Sequence, residues 1–280
     1  MSTATATREP TALVTPVPAS GRALRLLRRA APPVVFGILL IAAWQVSIPL
    51  FGISRFVAAK PSEIVSALGD DPSLFLSATG VTSREILVGF GASIGVGVLL
   101  ALLLARFKLI DQAVYPVVVL FQTLPKVALA PIFVLWFGYS MVPKILLILS
   151  IAFFPVALNM RTGLAAVDPD LVLLMRSVGA SRNQILLRAQ LPTSLPYLFA
   201  GLRIAVTFSV IGAVVAEFSA ANKGLGYLIS YESTQLDTPK VFAALLLISL
   251  VGLVFYYVIS ALECVVFRFF PRQEARFTGP

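Results

Sequence analysis

The sequence predicts an all-α integral membrane protein with six transmembrane helices and both termini on the cytoplasmic side. Three observations carry this. First, 58% of the 280 residues are hydrophobic and 12% are charged, whereas ordinary soluble domains carry charge near a quarter. Second, six apolar runs reach the roughly 20 residues needed to cross a hydrocarbon core. Third, Arg and Lys gather at the ends of these runs with a strong bias to one side. Fourteen fall on segments assigned inside, among them Arg22, Arg25, Arg28, Arg29, Arg161, Arg176, Arg182 and Arg188. Six fall outside: Arg55, Lys60, Arg84, Lys144, Lys223 and Lys240. The net charge of +9 is therefore read as orientation in a membrane. Lipid is the expected surrounding, and no nucleic-acid partner is expected.

Composition also excludes chemistry. The chain has no histidine and a single cysteine, Cys264, so imidazole catalysis, disulfide frameworks and His/Cys metal sites are all ruled out. No catalytic residue and no metal site is expected, and no cofactor in this chain.

The elements follow in order. Residues 1–30 are rich in Thr, Ala and Pro, then basic; they read as a disordered cytoplasmic tail ahead of a permease region over 31–280. The first span, Val34–Phe51, is too long for a signal-peptide core and lacks a convincing cleavage site. Lys60 to Gly80 is too polar to span and holds a short surface helix starting near Pro61-Ser62. The remaining spans are Ile86–Ala105, Ala113–Phe137, Val142–Met160, Tyr197–Phe218 and Val241–Phe267. The third is irregular, since Pro116, Pro125 and Pro131 each remove a backbone donor. Broken backbone at membrane depth is tolerated when buried in protein or lining a cavity. The segment reads either as a kinked packing helix or as a lining of the translocation path, with Pro125, Lys126 and Pro131 as candidates.

Between the fourth and fifth spans lies "LMRSVGASRNQILLRAQLPTSLP", Leu174 to Pro196. Asp168-Pro169 forms a helix start, an acidic N-cap followed by proline at the first helical position. That helix is expected to end at about Val178, with Gly179 at the position past the end where positive φ is favoured. Ser181 and Gln184 have capping-box spacing, which predicts a second helix from Arg182 to about Gln190, stopped by Leu191-Pro192. Thr193 or Ser194 then caps the fifth span. Helices this short need a docking surface. Leu173, Leu174, Met175, Ile185, Leu186 and Leu187 exceed what one face can bury, which points to a protein partner on the cytoplasmic side.

This stretch resembles the cytoplasmic signature loop of binding-protein-dependent ABC importer permeases: EAA, three residues, Gly, nine residues, Ile, any residue, Leu-Pro. Gly179, Ala180 and Ser181, then Gln184, Ala189, Gln190, Leu191 and Pro192, keep the spacing. The EAA place falls on Leu173, Leu174 and Met175, and Ala189 stands where the family has Ile. "AKPSEI" (59–64), "TLPKVALAPIFVLWFG" (123–138), "GASRNQILLRAQLPTSLPYLFAGLRIA" (179–205), "IGAVVAEF" (211–218) and "GLGYLI" (224–229) are similar to the nitrate, sulfonate and taurine branch. The resemblance implies a type I importer permease fold with a core region of about 75–268 and coupling helices over 168–191. It further implies a second copy of this permease, two copies of a cytoplasmic ATPase that binds ATP and Mg, a periplasmic or lipid-anchored binding protein, and a bacterial inner-membrane location. The substrate class it implies is a small anion or polar organic solute.

Single residues retain two readings. Glu217, a carboxylate at the outer end of the fifth span, is either a gate or pathway group or a residue that merely reaches interfacial water or caps the following loop. Lys126 either contacts an anionic substrate, pairs with a carboxylate such as Glu217, or snorkels. Arg203 is expected to anchor to lipid phosphate. "KGLGY" (223–227) lacks the setting of a phosphate loop and reads as an outer re-entrant loop. The expected function is the permease subunit of an ATP-driven importer, non-catalytic in itself. The alternative is an ion-gradient-driven transporter or channel, which the scarcity of ionisable residues within the spans argues against.

Overall fold

In the computed structural model the fold is described over residues 20–269, with side chains largely from residue 31. It is helical throughout, with no strand among the described residues. The chain forms two compact units, residues 1–54 and 55–280.

The first unit contains α1 (Ser20–Leu50). It is apolar over Ala31–Leu50, a length that can cross a membrane, and Val34, Phe36, Leu39 and Leu50 are exposed along it. The helix begins ten residues inside the stretch that composition marks as a disordered tail. Ala, Leu and Arg are strong helix formers, and "RALRLLRRAA" at 22–31 is built from them. Residues 1–19 lie outside the described residues.

The second unit starts with a surface helix, α2 (Pro61–Asp70), and continues into α3 (Pro72–Arg106), where Asp71 accepts the Leu74 amide at 3.1 Å as N-cap. At 1.5 Å per residue α3 is about 52 Å long, more than a bilayer core requires, so its first turns precede the apolar run that hydropathy locates. The expected third span is two helices, α4 (Lys108–Thr123) and α5 (Leu129–Phe137), joined by a single 3-10 turn at Lys126–Ala128 and bent by 80°. The break falls at Leu124-Pro125, where proline disfavours helical geometry in the residue before it.

α6 (Met141–Ala165) is capped by Ser140, which accepts the Val142 amide at 3.3 Å. α7 (Pro169–Ser177) and α8 (Arg182–Ile185) follow as the polar loop predicts. The predicted stop at Leu191-Pro192 does not occur. Leu186–Gln190 is a π-helical turn that feeds into α9 (Leu191–Ala220), making Arg182–Ser219 one apolar spanning unit of 38 residues. The physical reason is the wider turn. The Leu191 amide reaches back five residues to the Leu186 carbonyl, and this looser winding relieves the clash proline causes in an α-helix. Ser194 is correspondingly no cap: its hydroxyl donates to the Leu191 carbonyl at 2.8 Å. α10 (Leu225–Thr234) and α11 (Thr238–Phe269) complete the chain. Among the described residues, five helices are long and apolar enough to cross a membrane, six if the bent α4–α5 pair is one span.

The core is a bundle of α3, α6 and α9, closed on one side by α11. Phe90, Val156, Phe199, Leu202, Val206 and Ile259 pack together in its middle. Membrane helices have no hydrophobic drive to associate and rely on close approach over small residues. A Cβ at Gly97 would sit 2.8 Å from the Phe153 carbonyl oxygen, and one at Gly201 would sit 2.7 Å from that of Pro155. The two glycines let α3 and α9 press against the backbone of α6 from two sides. On α11, Leu246, Leu250, Leu253 and Val254 stay exposed, as lipid-facing residues do.

Candidate functional site

Two regions at opposite ends of the α6–α9 pair stand out. The first is the helix–glycine–helix loop. Asp168 accepts the Asp170 amide at 2.9 Å, starting α7. At its end Gly179 has φ of +79°. The Ala180 amide bonds the Met175 carbonyl at 2.9 Å and the Gly179 amide bonds that of Arg176 at 3.0 Å, the paired closure in which a left-handed residue satisfies the last carbonyls of a helix. Ser181 and Gln184 then exchange two bonds: Ser181 N to Gln184 Oε1 at 2.7 Å, and Gln184 N to Ser181 Oγ at 3.3 Å. Backbone closure and capping box fix the angle between the two short helices from within the loop.

The same loop leaves apolar side chains in the open. Leu173 and Leu174 are each 61% exposed, Val178 77% and Leu187 62%. Ile185 and Ala189 turn inward and are buried, and Met175, Ala180, Leu186 and Leu191 are half-buried. Gly179, Ser181, Gln184 and Pro192 are exposed. The loop thus divides its apolar residues: Ile185 and Ala189 seat it on the bundle, while Leu173, Leu174, Val178 and Leu187 form an outward face of four large side chains.

Beside this loop α4 is tied to α6. Arg161 holds Asp111 with two hydrogen bonds, Nε to Oδ1 at 2.5 Å and Nη2 to Oδ2 at 2.7 Å, and its guanidinium lies 4.4 Å from the Tyr115 ring centroid. Planar bidentate pairing of this kind fixes orientation as well as distance.

The second region is at the other end. Glu217, 1% exposed, accepts the Thr82 hydroxyl on Oε1 at 2.7 Å and the Gly226 amide on Oε2 at 2.5 Å. Thr82 in turn accepts the Leu225 amide at 2.8 Å. Lys144 Nζ donates to Glu85 Oε1 at 2.5 Å, both groups buried. These contacts join α3, α6, α9 and the start of α10. The "KGLGY" segment is accordingly the buried entry to a helix: Gly224, with φ of +116°, precedes α10, and Gly224, Leu225 and Gly226 are all buried.

The pathway candidates do not come together. Lys126 is half-buried and donates to Gln122, one helical turn earlier; Glu217 takes its bonds from Thr82 and Gly226 instead. Pro125 and Pro131 are exposed at the α4–α5 bend. Arg203 pairs with the buried carboxylate of Glu263 at 3.1 Å, so the expected lipid-phosphate anchor is an ion pair between α9 and α11. Sequence reasoning passed over Thr82 and Glu85, and it treated Lys144 only as a topology marker. One signal was available: Glu85 and Lys144 stand at the same end of the second and fourth spans with opposite charges.

A bundle of spanning helices seamed by small residues, with a preformed helix–glycine–helix loop at one end, is an integral membrane architecture. The chain belongs to the family of binding-protein-dependent transport system inner membrane components, matched over residues 93–264. It is 37% identical over 246 residues to the formylaminopyrimidine transport permease protein ThiX of Halalkalibacterium halodurans, covering 88% of this chain and 98% of that one. It is 33% identical over 218 residues to the putative aliphatic sulfonates transport permease protein SsuC of Bacillus subtilis, covering 76% of this chain and 78% of the other. Among solved structures, an amino acid ABC transporter chain superimposes with a TM-score of 0.56 at 19% identity, covering 74% of this chain and 98% of that chain. The inward-facing MetNI methionine ABC transporter gives 0.53 at 21% identity over 71% and 95% of the two chains. The type I importer permease fold expected from the sequence is the observed one. The protein is a multi-pass permease subunit of an ATP-driven ABC importer, working with a separate ATPase and a substrate-binding protein. Membership in this family sets aside the ion-gradient-driven alternative.

Proposed function

We propose that this permease acts as a homodimer in a bacterial inner membrane, carrying a small anionic or polar organic solute inward. Its α7–α8 loop is seated in a cytoplasmic ATPase, one ATPase per permease copy. The ATP and Mg sites belong to that partner. The observation that carries the reading is the outward apolar face of Leu173, Leu174, Val178 and Leu187, held on a loop whose shape is fixed by its own caps. A rigid apolar knob of this size in water is the signature of a docking element. The bias of Arg and Lys toward this side supports its cytoplasmic placement.

The solute class rests on relatives. The chain is 37% identical to a formylaminopyrimidine permease and 33% identical to a permease for aliphatic sulfonates; both solutes are small and polar. Substrate choice among them belongs to the binding protein. The test is reconstitution. Vesicles holding the permease, its ATPase and the binding protein accumulate solute with ATP inside, and omission of the ATPase abolishes uptake. Uptake without the ATPase, driven by an imposed ion gradient, would overturn the coupling reading. Labelling of a cysteine at position 182 from the outside would overturn the orientation.

A further inference from the structure

At the end of the bundle opposite Gly179, two carboxyl groups and one ammonium are enclosed together. Glu85 is 4% exposed and Glu217 1%, and Glu85 stands one helical turn after Thr82, the residue that donates to Glu217, so both carboxyls are packed into the same seam. A count of donors shows an asymmetry. Both oxygens of Glu217 are served, Oε1 by Thr82 Oγ1 and Oε2 by Gly226 N. The Thr82 hydroxyl donates to Glu217 while its oxygen accepts the Leu225 amide. Glu85 Oε1 is served by Lys144. Glu85 Oε2 is buried with no donor facing it.

The charges show a matching deficit. With both carboxyls ionised, the group holds two negative charges against the one positive charge of Lys144. An uncompensated buried charge costs several kcal/mol, and two adjacent carboxylates resist ionising together. One proton removes both defects, giving Oε2 the bond it lacks and making the cluster neutral.

We propose that Glu85 and Glu217 form a proton-binding site, in which one proton resides on Glu85 Oε2 and is donated to the Glu217 carboxylate. A metal cation fits poorly. The Lys144 ammonium already stands against Glu85, and the two Glu217 oxygens already accept donors. A cavity of about 530 Å³ adjoins Glu85 and Lys144, lined also by Arg84, Tyr139 and Asn222, and it gives a proton on Glu85 a way to water. The bound proton keeps α3, α6, α9 and the α10 entry in a single neutral contact. Without it, two like charges press α3 from α9.

The experiment uses the full-length permease in lipid nanodiscs at neutral pH, read by infrared spectroscopy of the carboxylic-acid C=O stretch and by thermal melting. A glutamine at 85 reproduces the protonated form, with its oxygen toward Lys144 and its amide toward Glu217. Glu85→Gln is therefore expected to remove a protonated-carboxyl band present in the wild type and to leave the melting temperature unchanged. Glu217→Gln turns an amide donor toward Thr82 or Gly226 and is expected to lower the melting temperature clearly. The proposal is overturned if the band persists in Glu85→Gln. It is equally overturned if Glu85→Gln fails to fold or melts early while Glu217→Gln is neutral. A sodium-dependent rise in melting temperature that either substitution abolishes would replace the proton with a metal cation, and so overturn it too.

Discussion

A side chain at Gly224 would occupy the same space as the carboxyl of Glu217: its Cβ would fall 2.2 Å from Oε1 and 2.4 Å from Cδ. Two constraints coincide at this glycine, since its φ of +116° is also closed to L side chains. Strain and overpacking together place the cost of Gly224→Ala at about 2–5 kcal/mol. The expected readout is faster tryptic cleavage at the neighbouring exposed Lys223 and a lower melting temperature. Gly95→Ala is the contrast. It lies in the middle of α3 with nothing within 4 Å of a Cβ, so it is expected to be neutral or stabilising by about 0.5–1 kcal/mol. Equal effects of the two would show that the Gly224–Glu217 contact carries no weight.

The corner of the docking loop separates backbone from packing in the same way. Nothing lies within 4 Å of a Cβ at Gly179, so any penalty there comes from φ of +79° alone. Asn tolerates that region and Val does not. Gly179→Asn is expected to keep ATPase binding and uptake. Gly179→Val is expected to insert normally yet lose both, as read by ATPase co-purification and vesicle uptake. Normal coupling in the valine variant would make the loop a passive connection.

Leu173 stands where the family carries Glu, and it is exposed. In the proposed ATPase interface its contribution would be burial, which for a leucine is worth about 1.5–3 kcal/mol when complete. Leu173→Ala is expected to weaken ATPase binding roughly ten- to hundredfold with little change as salt is raised, because apolar burial is not screened. The melting temperature of the isolated permease is expected to stay the same. A steep salt dependence of the loss would point to charge pairing instead.

Arg161→Lys tests the tie between α4 and α6. Lysine keeps the charge but loses the two-pronged grip on Asp111 and the stacking on Tyr115. A loss of about 1–2 kcal/mol is expected, seen as a lower melting temperature, with Asp111→Asn producing a similar drop. If both variants melt like the wild type, α4 is held to the bundle by packing alone.

The contrast between what the sequence disclosed and what it hid follows interaction range. The spans were legible because lipid imposes a length and a polarity that hydropathy reads directly. The α7–Gly179–α8 corner was legible because its determinants, Asp168, Gly179, Ser181 and Gln184, act within a few residues. The Thr82–Glu217 bond spans 135 positions and the Lys144–Glu85 pair 59, and only the packed bundle brings them together. The π turn at Leu186–Gln190 was hidden for another reason. Leu-Pro normally ends a helix, and nothing local in the sequence announces that one extra residue in the preceding turn makes room for the ring. Arg203 was misassigned to lipid because its partner Glu263 lies on the last helix, 60 residues away.

That π turn has a mechanical consequence. Because it joins α8 to α9 without a break, the 38 residues from Arg182 to Ser219 form a beam about 57 Å long at 1.5 Å per residue. Its foot lies in the loop bearing Leu187, and its head carries Glu217. A tilt of about 10° around the middle of such a beam swings each end by about 5 Å, in opposite directions. Moved as one rigid body about its middle, such a helix would deliver a push on the foot to the head as a reversed stroke.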